Sequence, residues 1–204
     1  MFNYLHCKQY LHDYGGSVLS PILGIIASSF AASTNSYESI QTVTVGAGGS
    51  ATVTFSSIVG TYKHLQIRLI TRNDRANVLD GLYLRFNSDS GTNYSDHFLR
   101  GSGSAVDANA DVSSAYMLMG TVPASSATAS VFAGGVIDVL DYADTNKYKT
   151  VRTLLGYDAN GSGYVGLFSG NWRSTSAVTS ITLGSTNGSG FLEYSQFALY
   201  GIKG

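Results

Sequence analysis

The sequence predicts an all-β protein: a two-sheet antiparallel β-sandwich, jelly-roll-like, preceded by an extended or partly helical N-terminal arm. Three observations lead there. Short stretches of period-two alternation recur from Ser36 to the C-terminus, with Gly, Ser and Asn turns between them. Of 204 residues, 24 are Gly, 28 Ser and 17 Thr. Only 12% are charged, against roughly 25% in an ordinary domain. Such a surface stays wet through hydroxyls and amides, or is covered by partners.

The elements follow in chain order. Val43 and Val45 alternate with Thr42 and Thr44, "GAGGS" turns the chain, and Ala51, Val53 and Phe55 alternate with Thr52 and Thr54, which is a hairpin signature. Leu65, Ile67 and Leu69 oppose Gln66 and Arg68. Leu82, Leu84 and Phe86 oppose Tyr83 and Arg85. Further strands are expected at 136–141, 151–157, 164–168, 178–183 and 197–202. Nine or ten short strands in all suit a sandwich. Val53, Phe55, Leu65, Ile67, Leu84, Val151 and Leu183 are the expected core, since a one-residue slip would expose them all. A short helix is expected over 142–147, a polar loop over 71–80, and an exposed, mobile contact loop over 100–112.

Residues 1–36 form the arm and 37–204 the sandwich. The arm opens with mixed aromatic residues, breaks at Gly15 and Gly16, and continues as the uncharged apolar run 18–30. Thirteen residues are too few for a membrane span, which needs about 20, and Pro21 and Gly24 oppose a long helix. Three readings fit this run: a signal peptide with Lys8 as its n-region and "FAAS" as its cleavage site, a segment of the domain's own core, or an arm docked on a neighbouring subunit. The long aromatic stretch before the run counts against the first. The third is adopted, with Ile22, Leu23, Ile25, Ile26 and Phe30 as the assembly residues.

Composition narrows the chemistry. The formal net charge is −1, with no Lys/Arg cluster to displace counterions, so no nucleic acid partner is expected. A single cysteine, Cys7, leaves no intrachain disulfide and no cysteine zinc site. "DANGSG" places Asp158, Asn160 and Ser162 as in the first half of a calcium loop. The closing position is Ser169 rather than Glu, and an Asx-rich turn explains the same residues. Ser95, Asp96 and His97 are neighbours on a strand, so they cannot converge as a triad. His6, His12, His64 and His97 show no metalloprotease spacing. Asp138 and Asp141 could serve a glycosidase, but an ion pair with Arg152 or Lys149 accounts for them. Trp172 is read as core and Arg173 as a carbonyl donor at a strand end. An indole beside a guanidinium is also a sugar-binding pair. No cofactor, metal or catalytic residue is expected.

Five stretches in order resemble a β-sandwich family of tailed-phage virion proteins. They are "SYESIQTVTVGAGGSATVTFSSIVGTYKHLQIRL", "RFNSDSGTNYSDHFL", "DVLDYADTNKYKTVRTLLGYDANGSG", "GNWRSTSAVTSITL" and "YSQFALYGIKG", together covering about residues 36–204. The resemblance implies a virion protein assembled in the host cytoplasm. It implies a homotrimer with no cofactor, no established catalytic residues and no membrane. Capsid decoration (cement) proteins and tail-fibre tips both resemble it. The first would rest on the major capsid protein or other virion proteins, the second on a host-surface glycan. The short arm, without heptads, suits a decoration protein better than a fibre.

Overall fold

The computed structural model describes residues 36–188 and 190–204. The proposed assembly residues Ile22, Leu23, Ile25, Ile26 and Phe30 lie outside them, as does Cys7.

Twelve strands make up the unit Ser36–Gly204: β1 (Tyr37–Thr44), β2 (Thr52–Phe55), β3 (His64–Thr71), β4 (Leu79–Phe86), β5 (Tyr94–Gly101), β6 (Val106–Ser114), β7 (Met117–Pro123), β8 (Ala133–Leu140), β9 (Lys149–Asp158), β10 (Gly163–Trp172), β11 (Ile181–Ser185) and β12 (Gln196–Ile202). The larger sheet runs β1-β12-β3-β8-β9-β10-β5-β6 and the smaller β2-β11-β4-β7. Every pairing is antiparallel.

This order is a jelly roll with two insertions. β1, β12, β3 and β8 make one half of the roll and β2, β11, β4 and β7 the other, so early strands pair with late ones in both sheets, and β7 packs over β9 and β10. The hairpins β5–β6 and β9–β10 then continue the larger sheet beyond β8. One face of each sheet is buried. Val53, Phe55, Leu65, Ile67, Leu84, Val151 and Leu183 are all in the core, as the alternation predicts.

Three expectations are corrected. First, β1 and β2 do not form a hairpin. They belong to different sheets and pair with β12 and β11. Gly48 and Gly49 take positive φ, but the turn carries the chain from one sheet to the other, and Tyr194 N donates to Val45 O across the corner. Alternation reports which face is buried and not which strand is the partner.

Second, 142–147 is a series of turns, and the described residues hold no helix. Asp141 adopts φ 47°, and Asn146 N donates to Asp144 Oδ1, which diverts the backbone from helical bonding. Third, most of 100–112 is strand rather than loop. The turn is only 102–105, and β6 is exposed at almost every position, so burial leaves no periodic signature. β5 and β7 also escaped the sequence reading.

Truncating a core residue should separate the two faces. Leu84→Ala should cost about 2–5 kcal/mol of stability. Thr52→Ala, on the exposed face of β2, should stay within about 0.5 kcal/mol. Urea unfolding of both variants checks this, and equal losses would refute the assignment of faces.

Candidate functional site

Among the described residues nothing covers the outer face of the larger sheet where the inserted hairpins extend it. Register places Ala108, Leu99, Leu167, Leu154 and Val136 side by side across β6, β5, β10, β9 and β8. The next outward row reads Val106, Gly101, Val165, Gly156, Gly134 and Ile70. Leu99, Val106, Leu154, Val165 and Leu167 are each more than half exposed. An aliphatic ridge therefore runs beside a row with glycine on β5, β9 and β8. A Cβ at Gly134 would meet nothing within 4 Å, and one at Gly101 only a carbonyl oxygen at 3.9 Å. Those recesses open outward and are not required by the protein's own packing.

On the other side of the ridge lies a polar row: Ala110, His97, Ser169, Arg152, Asp138 and Gln66. Arg152 Nε meets Asp138 Oδ2 at 3.1 Å, and Gln66 Nε2 donates to Asp138 Oδ1 at 2.9 Å. The expected Asp138–Arg152 pair is present. Asp141 lies beyond the end of β8 and pairs with Lys63 and Lys147, not with Lys149. These two ammonium groups hold its carboxyl down at about 2. Lys149 is buried and donates to the carbonyls of Asp144, Lys147 and Thr175.

The remaining sequence motifs are local in their contacts. Asp96 is buried and His97 is exposed on the opposite face of β5. Asp96 Oδ2 accepts from Leu118 N, while Oδ1 is buried without a hydrogen bond. Burial raises its carboxyl to about 6, and Asp111 alongside adds to the rise. His64 Nδ1 accepts from Asp141 N. Trp172 is buried against Phe86 and Tyr94, and its Nε1 donates to Asp89 Oδ2 at 2.7 Å. Arg173 donates to Thr92 O. Asp158 and Asn160 form the expected Asx turn, with Asn160 and Gly161 at positive φ as a tight hairpin requires. Among the described residues no three His, Cys, Asp or Glu side chains are grouped to hold a metal ion.

At the end of the sheet where β5 meets β6 and β9 meets β10, three turns enclose a cleft of about 460 Å³ lined by Tyr157, Tyr164 and several serines. Sequence reasoning missed both this cleft and the aliphatic ridge. The signal for the ridge was present in "TLLGY" and "YVGLF", which are apolar on both faces of a strand. Comparison with protein families, curated proteins and solved structures finds no match. The phage resemblance therefore rests on the sequence blocks alone.

The pH response of Asp96 has a definite sign. Its folded value lies above that of a free carboxyl, so the stabilisation is present at low pH and lost as pH rises from about 4 through about 6. Asp96→Asn should remove a fall in stability of order 2 kcal/mol across that window. Denaturant unfolding at pH 4.5 and 7 tests it. An undiminished fall in the variant would assign the effect elsewhere.

Proposed function

We propose that this chain is a non-enzymatic structural protein of a tailed-phage virion, a homotrimeric decoration protein that reinforces the outer surface of the head. The observation that carries the reading is the bare aliphatic ridge on β5, β6, β8, β9 and β10. Those five strands span about 20 Å, and the outward rows make an apolar area of about a few hundred Å², the size at which the largest patch of a protein is often a contact surface. A second copy of this chain is the occupant that fits. The face carries few charges: Arg152 is matched by its own Asp138, and Arg68, beside Val136, bonds to Gln66 and lies over Tyr37 and Tyr200. Its ridge and its glycine row supply projections and recesses for a like surface. The ordered phage-like blocks and the low charge support the same conclusion. The arm then holds the subunit on the major capsid protein or another virion protein. Five large apolar side chains within nine residues would each contribute roughly 1.5–3 kcal/mol on burial, before ordering costs.

A second reading, a tail-fibre or tailspike tip that touches the host surface, is favoured by the uncharged tyrosine cleft.

Two measurements test the proposal. Light scattering should give a trimer for the full chain and a smaller species for Leu167→Asp, which changes an exposed residue and should leave the fold intact. A monomeric full chain at high concentration would refute the homotrimer. A trimeric variant would move the contact elsewhere. A chain lacking residues 1–35 should fold, by circular dichroism, yet fail to stay on particles that lack the protein. Retention equal to full length would remove the arm from the mechanism, and so would a truncation that cannot fold.

A further inference from the structure

We propose that the cleft between turns 102–105, 124–130 and 159–163 binds a neutral saccharide. Its lining contains no charged side chain. Nucleic acids and acidic or basic peptides need a countercharge at their seat, and here they would find none. What the cleft offers is two phenol rings and a set of hydroxyls. The rings of Tyr157 and Tyr164 lie 6.3 Å apart at 48°, so they present an angled aromatic surface. A pyranose has an apolar C–H face that packs on such rings and an equatorial rim of hydroxyls that needs donors and acceptors.

Most of the polar groups are uncommitted, although Ser102 Oγ already bonds to Ser104 Oγ and to Ala105. The hydroxyls of Ser126, Thr128, Tyr157, Ser162 and Tyr164 make no hydrogen bond among the described residues. Each can both donate and accept, which matches a sugar hydroxyl and does not match an ion. The volume of about 460 Å³ suits a small ligand of this kind.

The walls are also fixed in advance. Buried Arg72 donates to the carbonyls of Ser125, Ala127, Thr128 and Val131 and so pins the 124–131 segment from behind. The facing turn is set by Asp158 Oδ1 accepting from Asn160 N and by Ala159 N donating to Ser162 O. Arg100 packs at 5.3 Å from the Tyr164 ring centre, which fixes that ring. A site whose walls are already ordered loses less entropy on binding. The inference holds for either virion location, because it concerns the cleft and not the ridge.

The test is saturation-transfer NMR and calorimetry on the full-length protein. The probes are maltotriose, cellotriose, mannotriose and galactotriose, with sialyllactose and a heparin oligosaccharide as charged controls. At least one neutral trisaccharide should bind with a dissociation constant in the millimolar range or below. Tyr164→Ala should weaken that binding about tenfold or more. The double change Thr128→Ala with Ser162→Ala should weaken it several-fold at unchanged melting temperature, which separates loss of contacts from loss of fold. Leu167→Asp, on the ridge, should bind as the parent does whatever its oligomeric state. No neutral sugar bound at about 10 mM would overturn the proposal. Equal binding of the charged controls would also overturn it, as would binding that ignores both cleft variants.

Discussion

The sandwich depends on where the chain's last strand lies. β12 enters between β1 and β3, pairing with both along its whole length. Among the described strands it is the only partner β1 has in the sheet. It carries Phe197 and Leu199 into the core, where Phe197 meets Phe191 at 4.8 Å between ring centres. Its fit is close: a Cβ at Gly201 would lie 2.4 Å from the Tyr62 ring. Just before the strand, buried Ser195 accepts from Arg72 N and ties β12 to the end of β3. Closure therefore joins segments more than a hundred residues apart, the kind of contact that folds slowly because the loop entropy is lost first.

The few charges inside the domain hold loops that have little apolar surface of their own. Arg72 serves four carbonyls of the β7–β8 connection. Lys149 serves three carbonyls from the β8–β9 and β10–β11 connections, and burial pushes its ammonium pKa down. Asp80 accepts from Asn73 Nδ2 and Gly81 N. A carbonyl left without a donor in such a place would cost about 1–3 kcal/mol. Surface pairs such as Lys203–Glu38 are worth far less.

The legible parts of the sequence were those where burial differs between the two faces of a strand. β3, β4 and β9 show that contrast, and their buried residues were read correctly. Partner choice was not legible, because Val43 and Val53 alternate with threonines in the same way whichever strand lies beside them. β6 gave no signal, since both its faces meet water. The turn over 142–147 was read as a helix because its bonds come from Asp144 Oδ1 and the positive φ of Asp141, which composition does not reveal. The ridge and the cleft draw residues from four or five strands or turns each. Leu99, Leu154 and Leu167 become neighbours only through register, and Ser126 meets Ser162 only when two loops converge.

β6 lies outside the eight-strand roll, pairs on one side only among the described residues, and is held there by its ladder to β5 and by Arg100 on Asp107 at 2.6 Å. Lifting it away would uncover little apolar surface, so it can open and reclose while the roll remains folded. Among the described residues its outer edge is a row of unpaired amides beside the ridge, the kind of border along which foreign strands add themselves. Asp111 places a negative charge on that border and discourages uncontrolled stacking of one edge on another. A neighbour that pairs along this edge gains contact without any rearrangement of the roll.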